Sequence, residues 1–314
     1  MTRPIRVAVI GVGYVGTLHA QIYRRLPGAK LIAVCDTNHH RANEIARTLK
    51  CQAVTNLTTL VGQIDAASVS VPTSLHHRIG SQLLRHGIHV LMEKPLTISL
   101  KEADELLALA ARNHLILQVG HIERFNAAIQ EAQQYLTHPR FIETHRLSPY
   151  PFRGTDVSVV LDVMIHDLDL ILSLVHAQPR CIDAIGVAVL SRSEDIANAR
   201  LVFPSGCVAN LTASRVSDES IRRIRLFQED CYLSIDYKHQ TVELARKRGA
   251  TIRRQVLDVK QRPALDEELA AFVRAVSTRQ RPIVSGEEAR EALALALKIE
   301  QVMRRQKQSV VHGR

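Results

Sequence analysis

Ile5-Arg6-Val7-Ala8-Val9-Ile10-Gly11-Val12-Gly13-Tyr14-Val15-Gly16 reads as a strand, a glycine turn and the opening of a helix. Ile5–Ile10 is short, apolar and rich in β-branched side chains, the composition of a strand buried on both faces. Leu18, Ile22 and Leu26 then recur at helical spacing until Pro27-Gly28 stops the pattern. Gly11 permits the tight turn, Gly13 lets backbone approach a pyrophosphate, and Gly16 lets helix and strand pack closely. Tyr14 and Val15 open the helix, whose free N–H groups and roughly half a positive charge suit an anion. In this context the glycine pattern is expected to bind a dinucleotide.

The next strand, Leu31–Cys35, ends at Asp36, twenty residues after Gly16. A carboxylate there accepts hydrogen bonds from the adenosine ribose hydroxyls and repels a 2′-phosphate, so NAD is the expected cofactor. Arg41 is the nearest cation that could favour NADP, and it falls inside the following helix. The alternation continues with a strand at Ala66–Val71, a turn at Pro72-Thr73 and a helix containing His76. A strand at Ile88–Met92 follows, then a helix capped by Ser99 with Glu102 at the capping-box position, then a strand at Leu115–Val119. Alternating β and α units imply a doubly wound parallel sheet of the Rossmann type over residues 1–121. Ser70, Pro72, Thr73, His76, Glu93 and Lys94 then belong to the strand ends or the turns beyond them, on the cofactor side. Lys94 is the most telling of these. It closes the apolar run of His89-Val90-Leu91-Met92-Glu93-Lys94-Pro95, where an ammonium can polarise a hydroxyl or carbonyl, and Pro95 forces the chain out of the sheet.

Across 314 residues the hydrophobic content of 46% and charged content of 23% are those of a globular protein with room for two cores. No run approaches the length of a membrane span, and Met1-Thr2-Arg3-Pro4 passes directly into a strand, so a cytoplasmic protein is expected. The net charge of +10 favours an anionic partner, but no basic run with interleaved aromatics supports nucleic acid, and aromatics make up only 4%. Five dispersed cysteines fit reduced core residues. Fifteen histidines occur without His-Glu-x-x-His or Cys-x-x-Cys spacing, so no metal is expected.

After Gly120 the period changes. Glu123 opens a helix reaching about Leu136, and short alternating stretches follow at 141–146, 182–189, 197–203, 207–213, 224–228 and 232–236, two of them joined by Pro204-Ser205-Gly206. They predict an α+β domain over 122–314 with a large open, mostly antiparallel sheet. The last two helices, about 264–314, are expected to pack back on the first domain. One helix, roughly Val159 to Val175, interrupts the strands with Asp162, His166 and Asp169 on or near one face. His166 could be a general base oriented by a carboxylate, or a core histidine satisfied by its neighbours. Arg124, Arg146, Arg153 and Arg215 could together clamp a substrate phosphate.

Gly11-Val12-Gly13-Tyr14-Val15-Gly16, Glu93-Lys94-Pro95 and Asp162-x-x-x-His166, in this order, resemble the glucose–fructose oxidoreductase/inositol dehydrogenase (Gfo/Idh/MocA) family over nearly the whole chain. The resemblance implies an NAD(P)-dependent sugar dehydrogenase, a homodimer or homotetramer, with Lys94, Asp162 and His166 as the catalytic group. A narrower likeness rests on Val119-Gly120-His121-Ile122-Glu123-Arg124-Phe125-Asn126, His145–Pro149, Arg153–Val157, Met164–Asp169 and Asn210–Arg215. These stretches look like the branch that oxidises the C3 hydroxyl of UDP-N-acetylglucosamine in bacterial lipid A biosynthesis. That likeness implies substrate contacts from His121, Arg124, Asn126, Arg146, Arg153, Asp162, His166 and Arg215, and a pyridoxal-phosphate (PLP) aminotransferase that consumes the ketone. Ala127 stands where many relatives are expected to carry proline, a difference of loop shape. The alternatives are another sugar substrate, such as a UDP-hexuronic acid or a free polyol like inositol, or an NAD-binding regulator without turnover.

Overall fold

In the computed structural model, residues 3–150 and 157–312 are described. The chain divides into two compact units, Met1–Ile122 with Pro263–Arg290, and Glu123–Arg262 with Glu291–Arg314. The first unit begins β1 (Ile5–Ile10), α1 (Tyr14–Arg25), β2 (Ala29–Cys35), α2 (His39–Leu49) and β3 (Gln52–Val54). It continues with β4 (Ala66–Val69), α3 (His76–Arg85), β5 (His89–Met92), α4 (Leu100–Arg112) and β6 (Leu117–Val119). The sheet order is β3-β2-β1-β4-β5-β6 with every pairing parallel. Strand order reverses between β1 and β4, and the glycine turn and Ser70 both lie at that switch point, where doubly wound sheets bind ligands. The Ser99 hydroxyl caps α4 by accepting from the Glu102 N–H, the local reason this helix starts where it does.

A single 3₁₀ turn at Ile122–Phe125 leads into the second unit, followed by α5 (Ala127–Gln133). The helix expected from Glu123 is therefore broken at Asn126, whose side chain accepts from the Ala128 N–H as an N-cap. Next come β7 (Phe141–Leu147), a π-helical turn at Val160–Met164, α6 (Ile165–Val175), β8 (Cys181–Val187), β9 (Ile196–Val202) and β10 (Val208–Ser214). The remaining strands are β11 (Ile221–Phe227), β12 (Cys231–Asp236), β13 (Thr241–Arg248) and β14 (Thr251–Val256). They form one sheet, β14-β13-β12-β11-β7-β10-β9-β8, antiparallel except where β10 meets β7. One face is apolar: Ile142 on β7, Ala209 and Leu211 on β10, Ile224 and Leu226 on β11, and Leu233 and Ile235 on β12 are all buried. Helices α5 and α6 pack on this sheet.

Two tail helices follow, α7 (Ala264–Thr278) and α8 (Gly286–His312). Leu269, Phe272, Val273 and Val276 of α7 pack into the core of the first unit with Ala20 and Tyr23 of α1 and Val7 and Val9 of β1. From Glu291 onward α8 groups with the second unit instead. The Ser158 hydroxyl hydrogen-bonds Glu300, and a Cβ on Gly186 of β8 would lie 2.8 Å from Met303 Sδ. Helix α7 thus belongs to the core of the first unit, and the body of α8 groups with the second. Among the described residues no helix is long and apolar enough to cross a membrane.

Candidate active site

The cofactor cradle of the first unit is built from backbone. Gly11 has φ +85°, and a Cβ there would lie 2.6 Å from Ser70 O. A Cβ on Gly16 would lie 1.9 Å from Gly11 O, so only glycine lets α1 leave the turn this closely. Gly13 differs: among the described residues, its chain neighbours apart, no atom lies within 4 Å of where its Cβ would stand. Nothing in the fold demands glycine there, and the open approach suits a ligand phosphate. Gly13 is also the N-cap of α1 and supplies no side-chain cap, leaving the first N–H groups of the helix to a ligand.

Around this turn lies a cavity of about 660 Å³ lined by Gly11, Gly13, Asp36, Arg41, Ser70 and Pro72 among others. Asp36 Oδ2 accepts from the Val12 N–H at 2.9 Å and Oδ1 from the Asn38 N–H at 2.8 Å, which fixes the carboxylate beside the glycine turn. Arg41, in the first turn of α2, approaches Asp36 at 4.0 Å. The buried Ser70 Oγ has no hydrogen-bond partner among the described residues. An open glycine, an orphaned hydroxyl and an oriented carboxylate are what NAD requires of its cradle. Exchange of Gly16 for alanine should force the turn apart. With overpacking costs of roughly 1–3 kcal/mol, NAD affinity should fall about tenfold or more, measured by calorimetric titration of a variant whose circular dichroism is unchanged.

The loops after β4 and β5 are tied by one side chain. His76 is buried, with Nδ1 2.9 Å from Pro95 O and Nε2 2.9 Å from Val71 O. Burial pulls the imidazole pKa down, against those two carbonyls and Glu93, which pull it up. His76, expected as a cofactor contact, lies between these two carbonyls beside the segment that carries Lys94 and donates to one of them. Glu93 and Lys94 are both half-buried at the end of β5. Burial alone would raise the Glu93 carboxyl, but His19, Lys94 and His76 hold it ionised, below its ordinary range. Tyr14 is 71% exposed at the mouth of α1, and Thr73 opens the 3₁₀ turn before α3. His121, at the end of this unit, is buried.

In the second unit the catalytic candidates stand on irregular helix. The Ile165 N–H bonds to Val160 O, an i→i+5 bond that makes Val160–Met164 a π turn, a geometry frequent at functional sites. Asp162 and His166 are half-buried, whereas Asp167 and Asp169 are buried. Arg124 Nη1 lies 3.8 Å from Asp169 Oδ1.

The proposed arginine clamp is redistributed. Arg146 is buried on β7, donates to both Asp167 oxygens and to Glu123 Oε1 at 2.9 Å, and stacks 5.1 Å from the Tyr237 ring centre. Burial alone would lower its pKa, but the carboxylates of Asp167 and Glu123 hold it above the ordinary arginine value. Asn126 donates to Tyr237 O and Glu123 Oε2, closing the same network. Arg215 is fully buried: Nε donates to Asp195, Nη1 to Val157 O, and Nη2 to the hydroxyls of Ser191 and Ser193. These guanidinium groups are spent on carboxylates, so Arg146 and Arg215 hold the frame of the helix bearing His166 and do not offer a phosphate fork. Arg153 lies outside the described residues.

Asp195 explains why Arg215 is drawn inside. Burial would raise its carboxyl, but the Ser191 hydroxyl and the N–H groups of Ser191, Leu190 and Val189 hold it well below the usual carboxylate range. Removing Arg215 would leave the buried Asp195 charge without its ion-pair partner, at a cost of about 3–5 kcal/mol. Arg215→Ala should therefore lower the urea midpoint strongly, while Arg200→Ala, on the exposed face, should change stability by no more than about 0.5 kcal/mol.

Comparison with known proteins agrees with this geometry. The model of an oxidoreductase family with an NAD-binding Rossmann fold, GFO/IDH/MocA, matches residues 5–121, and the GFO/IDH/MocA C-terminal domain matches residues 129–233. UDP-N-acetylglucosamine 3-dehydrogenase of Acidithiobacillus ferrooxidans is 38% identical over 94% of this chain and 96% of its own length. A solved structure of UDP-N-acetylglucosamine 3-dehydrogenase from that organism covers 96% of this chain and 98% of its own, at a TM-score of 0.91. The scyllo-inositol 2-dehydrogenase (NAD(+)) of Bacillus subtilis is 27% identical over 91% of this chain and 90% of its own length.

Proposed function

Because the chain belongs to the Gfo/Idh/MocA oxidoreductase family, and its first unit is that family's NAD-binding domain, we propose that it oxidises the C3 hydroxyl of UDP-N-acetylglucosamine to the 3-keto sugar. The observation that carries the choice of substrate is the 38% identity to a UDP-N-acetylglucosamine 3-dehydrogenase along almost the full length of both chains. The inositol dehydrogenase likeness is weaker at 27%, which ranks a free polyol second.

Bound NAD⁺ supplies the hydride acceptor. The residues of the chain do the rest. The Gly11–Gly16 turn and the N-terminus of α1 hold the pyrophosphate, and Asp36 accepts from the ribose. Lys94, presented by the loop after β5, stabilises the developing alkoxide as a fixed positive charge. His166 accepts the hydroxyl proton, and Asp162, four residues earlier on the same helical element, orients the imidazole. Arg124, which also faces Asp169 at 3.8 Å, and Arg153 are the proposed diphosphate contacts, and His121 is a proposed sugar contact.

The ketone is then the substrate of a PLP aminotransferase supplying a diamino sugar to lipid A, in the cytoplasm, from a homodimer or homotetramer. The test is reduced-nicotinamide absorbance with UDP-N-acetylglucosamine, with the aminotransferase and glutamate present to draw off ketone. Turnover selective for that sugar is the expected result. Selective turnover of a UDP-hexuronic acid or inositol would reassign the substrate, and silence on every sugar would mark an NAD-binding regulator.

A further inference from the structure

Behind the β5 loop, inside the first unit, His19, Glu93 and Glu268 bring one ring nitrogen and two carboxylate oxygens within 4.8 Å of one another. They come from α1, the end of β5 and α7. His19 is fully buried, Glu268 is 1% exposed, and the His19 Nε2 stands 3.3 Å from Glu93 Oε1. Gly120 leaves room for the Glu93 carboxylate, since a Cβ there would lie 3.1 Å from both of its oxygens. Glu268 Oε1 has no hydrogen-bond partner among the described residues, although its backbone carbonyl accepts from Gln118 Nε2. Two carboxylates this close, one of them almost fully buried, do not both ionise without compensating charge.

The charges divide unequally between the two acids. Glu93 is faced by His19 from α1, by its chain neighbour Lys94 and by His76 from α3. Glu268 faces burial and the negative Glu93, with Tyr23 of α1 nearby and its hydroxyl paired to Ser68 Oγ at 2.8 Å. The proton therefore belongs on Glu268. We propose that Glu268 is a neutral carboxylic acid that completes a His19–Glu93–Glu268 cluster and acts as a positioning residue, steadying the Glu93 carboxylate and through it the placement of Lys94. The inference rests on the reading of Lys94 as the group that stabilises alkoxide.

The alternative occupant of such a trio is a metal ion, which would require Glu268 as an anion. Glutamine separates the two, because its amide N–H donates as the carboxylic O–H does, whereas a metal site loses its charge. Glu268→Ala should lower kcat by about tenfold, the worth of one hydrogen bond to a charged group, with KM for NAD unchanged. Glu268→Gln should recover most of that loss. Infrared spectra of the wild-type protein at neutral pH should carry the carbonyl band of a buried protonated carboxyl, and Glu268→Gln should lack it. Absence of that band, a glutamine variant as impaired as the alanine one, or a stoichiometric metal in the purified protein would each overturn the proposal. The infrared band is read without substrate, so it decides the protonation of Glu268 even where the alanine variant folds poorly. Full activity in Lys94→Ala would instead strike the functional reading and leave the band in place.

Discussion

Lys94→Ala should lower kcat for UDP-N-acetylglucosamine oxidation by about 10³-fold, with NAD affinity nearly unchanged. The magnitude is that of removing one preorganised group aimed at developing charge, often the largest single contribution to an enzyme's rate. The split between kcat and binding follows from structure. Lys94 stands past the end of β5, whereas the glycine turn, Asp36 and Ser70 belong to the ends of β1, β2 and β4. The loop keeps an anchor in the exchange because His76, between Pro95 O and Val71 O, donates to one of them without involving the lysine side chain. Lys94→Arg should not rescue well, since a planar guanidinium cannot take the position of a compact ammonium. Single-turnover measurement of reduced nicotinamide checks this, and a variant within a few-fold of wild type would remove Lys94 from the chemistry.

His166→Ala should cost about 10²–10⁴-fold in turnover, the range of general-base assistance, again with NAD binding intact because the glycine turn, Asp36 and Ser70 of the cradle are unchanged. Its stability should change little. The frame around it is carried by neighbours, with Asp167 bound to Arg146 and Tyr237, and Val157 O bound to Arg215. Loss of turnover together with an unchanged thermal midpoint is thus the signature of a chemical role. Unchanged turnover would return His166 to the plain reading of a satisfied core histidine.

The elements of the first unit were legible because each is written locally. A β-branched run, a glycine turn and a helical repeat occupy consecutive residues, and the structure shows β1 and α1 in that place. The capping pair Ser99 and Glu102 and the Pro204-Ser205-Gly206 hairpin are equally local signals. Three strands escaped the sequence reading, β3, β13 and β14. Three residues are too few for β3 to show an alternation, the arginines of β13 and β14 blur theirs, and every residue of β14 is exposed, so no buried face marks it as a strand. The break at Asn126 was hidden for a different reason: its side chain makes a cap, and a cap inside a helical pattern looks like one more polar residue.

By itself the sequence determined the fold class and the cofactor turn, and it singled out Lys94, Asp162 and His166 as the candidates for the chemistry. These rest on residue types at short spacing, where backbone geometry leaves few options. Only the tertiary structure decided which charges are free to act. Arg146 and Arg215 carry the same guanidinium as any phosphate-binding arginine, and nothing local says that Asp167, Glu123 and Asp195 have already claimed them. Glu268 and His19 meet Glu93 across most of the chain's length. The free energy of a charge depends on its burial and on the partners the fold brings to it, and neither is a property of neighbours in sequence.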